Sequence, residues 1–349
     1  MTFHTPLSVL FIGGTGTISA SSVRRAVADG MTVTVLNRGV NAASRDLPDE
    51  VTWLTADVHD PEAVTNAVRD RTFDSVVNFL SFTAEDTAAS VDLFRDRTKQ
   101  YIHISTASLY GKPVLQVPIT ESTPIHNRFV AYSRAKIEAE RVLQEAYATS
   151  DFPMTIVRPS HTYDDANPPL PGGWTVVDRI LRGAEIPVHG DGTSLWTLTH
   201  SDDLAQGLIG LIGNPRAIGE VFHITSDDVY TWDQIYTIVA EALGTRANLV
   251  HIASEMFTVA APEWGWSELY RGDLGHSAIF DNTKIRRFVP SYSPHLTFHR
   301  AVLRMLEWRS AHPESTGSDS STEAILDRMV EGYHRSRAVF ESLTPALAH

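Results

Sequence analysis

A tyrosine, Tyr132, and a lysine, Lys136, lie four residues apart in the segment YSRAK. If this segment is helical, the two side chains share one face of the helix. A lysine ammonium beside a phenol stabilises the phenolate and lowers the phenol pKa, which is normally about 10. A tyrosine tuned in this way can take a proton from an alcohol or give one to a carbonyl. Upstream, the run STASLYG at 105–111 ends a predicted strand, where a hydroxyl can hydrogen-bond the reacting oxygen.

A glycine-rich segment, GGTGTIS at residues 13–19, lies between the first predicted strand and the first predicted helix. Glycine is needed where the backbone turns sharply and approaches a pyrophosphate closely. The N-terminus of the helix then offers free N–H groups and the positive end of its dipole to the phosphates. Because the strand before the turn and the helix after it agree with this pattern, the sequence predicts a dinucleotide site.

Residues after the second and third strands bear on which dinucleotide would bind. A carboxylate at the end of the second strand would favour NAD, but this chain has Asn37 and Arg38 there. Arg38 can pair with a 2′-phosphate, which favours NADP. The alternative is an exposed Arg38, with Asn37 serving the ribose of NAD. Asp57, at the end of the third strand, either meets the adenine amino group or acts as a helix N-terminal carboxylate.

Short β-branched runs alternate with helical stretches over the first 160 residues, which implies βαβ units and a mostly parallel sheet. The predicted strands are 7–12, 32–36, 51–56, 75–79, 100–105 and 154–158. The predicted helices are 17–29, one that begins at Asp60-Pro61, 84–97 and 131–148.

The alternation breaks after residue 159, at a loop rich in proline and glycine over 164–174. We expect a nucleotide-binding domain over residues 1–165, to which a segment at about 190–225 returns. Residues 166–312 would form mainly a substrate-binding lobe, and 313–349 a polar hinge followed by a C-terminal helix over 324–343.

Composition excludes several classes of function. The 349 residues carry a net charge of −13, which argues against nucleic acids and anionic membrane surfaces as partners. The chain has no cysteine, so disulfides, thiolate catalysis and cysteine-ligated metals are excluded. The histidines show no metal-ligand spacing, and we predict no metal. The apolar run near the N-terminus is too short for a signal peptide or a membrane span, so we expect a cytoplasmic location.

Together these segments resemble the extended short-chain dehydrogenases/reductases, the NAD-dependent epimerase/dehydratase family that includes sugar 4-epimerases. The motifs that carry the resemblance span roughly residues 8–205; they are GGTGTIS, the DV of TADVHD, STASLYG, YSRAK, RPS and GDGTSLWTLTHSDDLA. The resemblance implies an α/β fold, with a Rossmann-like doubly wound parallel sheet and a smaller C-terminal α/β substrate lobe. It also implies a homodimer that pairs through helices at 84–97 and 137–148.

The resemblance implies that Tyr132 is the acid/base, that Lys136 tunes it and holds the nicotinamide ribose, and that Thr106 is the third catalytic residue. The backbone N–H groups of Thr17 and Ile18 would meet the pyrophosphate. The full set of expected cofactor-binding residues is Gly13, Thr15, Gly16, Thr17, Ile18, Asn37, Arg38, Asp57, Val58, Phe79, Leu80, Ser81, Ser105, Tyr132, Lys136 and Pro159.

The chain departs from the family pattern at two places that bear on the substrate. Thr106 is followed by Ala107-Ser108 instead of the Asp-Glu pair of the dehydratase branch, which favours the 4-epimerase branch. Trp196 stands where many relatives have an arginine that binds a diphosphate. Either the substrate lacks a nucleoside diphosphate, or another arginine supplies the charge; the candidates are Arg271, Arg286 and Arg287.

The expected substrate residues are Ser108, His161, Trp174, Trp196 and Arg271. Each tryptophan either stacks on a sugar or base, or packs between lobes. His161 is a second proton carrier or hydrogen-bond donor, or a structural loop histidine.

The leading hypothesis is an NAD(P)-dependent epimerase or oxidoreductase that acts on a sugar or nucleotide-sugar hydroxyl through a transient ketone. The alternatives are an NADPH-dependent reductase of a non-nucleotide carbonyl compound and a non-catalytic nucleotide- or RNA-binding relative.

Overall fold

The apolar runs of the first half of the chain form strands of a parallel sheet in the computed structural model. The structure describes residues 5–39 and 47–343. The strands are β1 (Ser8–Ile12), β2 (Thr32–Asn37), β3 (Thr52–Thr55), β4 (Ser75–Asn78), β5 (Tyr101–Ile104), β6 (Met154–Pro159), β7 (His161–Tyr163), β8 (Glu185–His189), β9 (Leu195–Trp196), β10 (Leu198–His200), β11 (Val221–Ile224), β12 (Tyr230–Thr231) and β13 (Asn248–Ile252). Nearly continuous apolar sequences such as that of β1 are typical of strands buried on both faces.

The helices carry recognisable start signals. Asp60 caps one helix by accepting the N–H groups of Glu62 and Ala63, and Thr83 caps the next through the N–H of Asp86. The helices are α1 (Thr17–Ala28), α2 (Pro61–Val68), α3 (Ala84–Phe94), α4 (Ala131–Ser150), α5 (Trp174–Leu181), α6 (Ser201–Leu211), α7 (Trp232–Ala242), α8 (Ser254–Ala260), α9 (Ser267–Leu269), α10 (Thr283–Phe288), α11 (Phe298–Ala311) and α12 (Ser320–Ser342).

One compact unit comprises the described residues of Met1–Asp164, Thr197–Asp228 and Ile279–Leu296. Its main sheet has seven parallel strands in the order β11-β6-β5-β4-β1-β2-β3. Apolar clusters on the two faces bury side chains of α1 and α6, and of α2, α3 and α4, respectively. This is the predicted doubly wound α/β sheet. Its strand order reverses between β1 and β4, and ligands bind at the carboxyl ends of the strands at such a point.

The second compact unit comprises the described residues of Asp165–Trp196, Val229–Ala278 and Thr297–His349. It holds two short strand pairs, β8 with β13 and β9 with β12. The last helix is attached to α5 by ion pairs, in which buried Arg179 contacts Glu323 and lies 2.6 Å from Asp327.

Helix boundaries differ most from the sequence-based expectation at two places. Helix α3 ends at Phe94 instead of residue 97. Helix α12 begins at Ser320 instead of residue 324, because Asp319 accepts the N–H of Thr322 at 2.8 Å and caps the helix. The first turn of α12 has no apolar periodicity, so only the capping residue Asp319 could have indicated where the helix begins. The domain boundaries at residues 165 and 312 remain predictions.

Candidate active site

The glycine-rich turn after β1 leaves backbone open at the N-terminus of α1. Gly13 has φ +87°, a conformation that favours glycine, and a Cβ there would lie 2.5 Å from Leu80 Cγ. Gly16 is exposed and forms the N-cap of α1. Ser19 accepts the Gly16 N–H at 2.8 Å through its hydroxyl. The first N–H groups of a helix have no intrahelical partner, so this turn can bind an anion.

A small pocket at the carboxyl ends of β1 and β4 collects several expected cofactor residues. Val58, Leu80 and Ser81 line it together. Phe79 does not line this pocket, since its ring stacks on Phe11 with a centroid distance of 6.3 Å. The remaining lining residues, which sequence reasoning missed, are Ile12, Pro61, Val64, Asn78, Asp86, Ala89, Ser90, Leu93 and Phe94.

The residues expected to choose between NAD and NADP lie at the ends of β2 and β3. Asn37 is buried; its Oδ1 accepts the Gly39 N–H at 2.8 Å, and its Nδ2 has no hydrogen-bond partner. Arg38 is exposed. Asp57 is also exposed, and its Oδ1 accepts the N–H of His59 at 3.1 Å. The cap of α2 is Asp60, so the helix-capping role considered for Asp57 belongs to Asp60.

Tyr132 and Thr106 are brought together at the carboxyl end of β5. Tyr132 lies in the first turn of α4, where its side chain interacts with that of Thr106. The Tyr132 side chain is 43% exposed, yet loss of hydration raises the pKa of Tyr132 to about 12, and the interaction with Thr106 only partly opposes this. The direction is opposite to the sequence-based expectation of a lowered phenol pKa. Tyr132 is therefore protonated at neutral pH.

Lys136 is buried one turn along α4 from Tyr132, with 1% of its surface exposed. Its ammonium donates to the carbonyls of Ser81 and Ile104, each at 2.7 Å, and lies 4.8 Å from the centre of the Phe82 ring. Burial lowers the pKa of Lys136 to about 7, although Glu140 and Asp86 oppose this change. Because Lys136 binds backbone carbonyls, its charge is held beside the strand ends and does not lower the pKa of Tyr132 as expected.

The serines after β5 have different surroundings. Ser105 Oγ is buried and has no hydrogen-bond partner. Ser108 Oγ lies 2.9 Å from Ser133 Oγ, and the Ser108 N–H donates to Thr106 Oγ1 at 3.2 Å. A substrate that binds the Ser108 hydroxyl would therefore compete with the hydrogen bond between Ser108 and Ser133.

Two other expected residues of the first unit lie at the end of β6 and at the start of β7. Pro159 ends β6 and pairs with Ile224, and His161 begins β7 opposite Leu198. His161 is half-buried.

Three expected substrate residues lie in the second unit. Trp174 stacks on Trp308 with 13° between the ring planes and donates to the Ala166 carbonyl at 2.8 Å. Trp196 is buried against Trp232, with ring centroids 5.8 Å apart. Arg271 is exposed on the short helical turn Tyr270–Leu274. Both indoles pack within this unit.

Of the two other candidate arginines, Arg286 pairs with Asp227, and Arg287 is exposed on α10.

Over residues 5–39 and 47–343, no group of three or more histidine and acidic side chains could hold a metal ion. In the same ranges, no helix is long and apolar enough to cross a membrane.

The doubly wound sheet, the glycine turn at α1 and the Tyr–Lys pair at the strand ends define a dinucleotide-dependent enzyme of the Rossmann-like class. The family model described as "NAD dependent epimerase/dehydratase family" matches residues 9–225, and the chain belongs to this family. The family and its structural neighbours are NAD-dependent epimerases, dehydratases and reductases of the extended short-chain dehydrogenase/reductase type. The chain is an enzyme of this type.

Similar proteins illustrate the range of the family. The chain is 27% identical over 294 residues to 2′-dehydrokanamycin reductase of Streptomyces kanamyceticus, covering 82% of this chain and 80% of the relative. It is 26% identical to the chloroplast stem-loop binding protein of 41 kDa b of Arabidopsis thaliana, covering 71% and 67% of the two chains. A dTDP-glucose 4,6-dehydratase from Bacillus anthracis, solved in complex with NAD, superposes with a TM-score of 0.71 at 18% identity, covering 88% and 98%.

The residues present fit a dinucleotide. The turn at Gly13 has no room for a side chain, and the pocket at Val58 and Leu80 is apolar on one side. Asn37 Nδ2 and Ser105 Oγ are buried without hydrogen-bond partners, so both can bind a polar ligand.

Proposed function

We propose that the protein catalyses NAD(P)-dependent oxidoreduction at a hydroxyl-bearing carbon of a sugar-like substrate. The observation that carries this proposal is the position of Tyr132 beside Thr106, one helical turn from buried Lys136. Tyr132 exchanges a proton with the substrate oxygen, and Thr106 hydrogen-bonds the same oxygen. A bound nicotinamide would supply or accept the hydride.

The protonated state of Tyr132 favours one direction of this chemistry. A protonated phenol can donate its proton to a ketone oxygen, whereas removal of a proton from an alcohol needs the phenolate. Lys136 lies beside the strand ends, where it can hold the nicotinamide ribose. An enzyme that releases product after one hydride transfer is a reductase. One that returns the hydride to the other face of a transient ketone is an epimerase.

The substitution Tyr132→Phe tests the catalytic role. Loss of the proposed proton donor at the reacting oxygen should lower kcat by about 10²–10⁴-fold. The measurement is turnover of a sugar ketone with NADPH, followed by nicotinamide absorbance. Tyr147→Phe is the matched control, because Tyr147 lies on the same helix and is 39% exposed. Full turnover in Tyr132→Phe would overturn the proposal.

A second candidate is a reductase whose substrate lacks a nucleoside diphosphate. Trp196 is buried where relatives have an arginine, and Arg286 is paired with Asp227. The 2′-dehydrokanamycin reductase, by its name, acts on an antibiotic. The absorbance spectrum of the purified protein separates the candidates. Tightly retained dinucleotide indicates an epimerase, and a dinucleotide-free protein that consumes NADPH stoichiometrically indicates a reductase.

We infer that NADP is the preferred cofactor, supported by exposed Arg38 at the end of β2. A charged hydrogen bond contributes about 1.5–3 kcal/mol, so Arg38→Ala should weaken NADP binding by about tenfold or more. Affinity for NAD should change little, since NAD has no 2′-phosphate. Equal losses for both dinucleotides, measured by fluorescence titration, would contradict this preference.

We also infer a homodimer formed by α3 and α4, which present exposed residues such as Glu85, Ala88 and Glu138. Light scattering of the purified protein should give twice the chain mass. The net charge of −13 disfavours nucleic acid as a partner.

A further inference from the structure

A buried ion pair lies one helical turn beyond Lys136 on α4. The Glu140 carboxylate accepts from Arg158 Nε at 2.9 Å and from Arg158 Nη2 at 2.5 Å. The side chain of Glu140 is fully buried, and that of Arg158 is 3% exposed. Because residues four apart share one helix face, Tyr132, Lys136 and Glu140 form a single row along α4.

Arg158 is fixed by contacts besides Glu140. It lies on β6, and its Nη1 donates to Tyr110 Oη at 2.9 Å and to the Glu121 carbonyl at 3.1 Å. The Tyr110 hydroxyl also contacts His223 Nε2. These contacts hold the guanidinium in place, so the position of the Glu140 carboxylate relative to Lys136 is fixed as well.

The Lys136 ammonium donates to two backbone carbonyls. Among residues 5–39 and 47–343, no carboxylate lies within ion-pair distance of it. The titratable groups around it are Tyr132 and Glu140 on α4, Asp86 on α3 and His103 on β5. His103 is fully buried, neither ring nitrogen has a hydrogen-bond partner, and burial together with Lys136 lowers its pKa. The nearby negative charges are therefore Glu140, which has the larger effect on Lys136, and Asp86.

We propose that Glu140 is a positioning residue that keeps Lys136 protonated for catalysis, and that Arg158 moderates this effect by neutralising part of the carboxylate charge. The proposal rests on the proposed function, in which Lys136 holds the nicotinamide ribose of the cofactor. A buried ammonium loses hydration, so a fixed negative charge in the same low-dielectric region offsets part of that loss.

The test is the titration of Lys136 in the cofactor-free protein. The chain has four lysines, Lys99, Lys112, Lys136 and Lys284, so ¹³Cε-lysine NMR gives four signals, and Lys136→Arg identifies the relevant one. In Glu140→Gln the midpoint of the Lys136 titration should move about one pH unit lower, because a nearby opposite charge is lost. Glu138→Gln is the matched control, since Glu138 is on the same helix and its side chain is 51% exposed. In this variant the midpoint of the Lys136 titration should match that of the wild type.

Two further variants separate the effect of the Glu140 charge on Lys136 from an effect of the substitution on folding. Glu140→Gln leaves Arg158 buried without its carboxylate, so the double variant Glu140→Gln/Arg158→Gln removes both charges. Its Lys136 midpoint should move in the same direction by a smaller amount. Glu140→Asp, which keeps the charge, should restore the wild-type midpoint. An unchanged or raised midpoint in both Gln variants would overturn the proposal.

The outcome is independent of the test of the proposed function. If Tyr132→Phe keeps full turnover while Glu140→Gln moves the Lys136 titration, the proposed function fails and the electrostatic role of Glu140 remains. If Tyr132→Phe is inactive and the titration does not move, only the role of Glu140 is wrong.

Discussion

Two buried cations, one in each compact unit, are held in different ways. Lys136 in the first unit is 1% exposed, and its ammonium binds the carbonyls of Ser81 and Ile104. Arg179 in the second unit is 2% exposed, and its guanidinium binds the carboxylates of Glu323 and Asp327.

The difference favours Lys136 over Arg179 for the proposed role in chemistry. A guanidinium paired with carboxylates stays charged and connects α5 to α12, so Arg179 stabilises the fold of its unit. An ammonium that binds only carbonyls keeps a pKa of about 7, and its proton is exchangeable near neutral pH. Perturbed pKa values of this kind cluster at functional sites.

The largest effect on activity is expected for Lys136→Met. Loss of the ammonium that is proposed to hold the nicotinamide ribose should lower kcat/KM by about 10²-fold or more, measured under the assay used for Tyr132→Phe. The fold should survive, because methionine fills a similar volume and removes a desolvated charge. If the variant unfolds, Lys136 stabilises the fold as Arg179 does, and the two cations do not differ in role.

The stability of the same variant should depend on pH. Burial lowers the pKa of folded Lys136 from 10.5 to about 7, so between these values the unfolded chain binds more protons than the native protein. The free energy of unfolding of the wild type should therefore rise with pH in this window relative to Lys136→Met, by at most about 1.4 kcal/mol per pH unit. A difference that is constant from pH 7 to 10.5 would contradict the lowered pKa.

A smaller effect, on stability alone, is expected for Arg179→Met. Removal of the guanidinium leaves Glu323 and Asp327 without their cation and should cost about 2 kcal/mol, less than for a fully buried pair because Asp327 is mostly exposed. Denaturant unfolding measures it. Arg335→Met, which breaks the exposed pair with Glu331, is the control and should cost about 0.5 kcal/mol or less. Equal costs for the two variants would show that Arg179 has no special structural role.

The sequence predicted the first unit well because its signals are local. The βαβ alternation, the glycine turn at Gly13 and the four-residue spacing of Tyr132 and Lys136 each depend on neighbours along the chain. The spacing placed both residues on α4 correctly. Their roles in catalysis remain predictions.

What the sequence missed depends on contacts between distant segments. The raised pKa of Tyr132 follows from burial, and the carbonyl partners of Lys136 come from segments 32 and 55 residues away. The pocket residues Ala89 and Leu93 are identified only once α3 lies against the carboxyl end of β4. No local pattern marks Arg179 as the partner of Glu323, which is 144 residues away.

The most direct test of this account is the titration of Lys136 in the wild-type protein. We expect the Lys136 signal in ¹³Cε-lysine NMR to have its midpoint at a pH of about 7, well below the ordinary lysine pKa of about 10.4. A midpoint for Lys136 near that ordinary value would contradict this expectation, because its ammonium would then be a permanently charged structural cation.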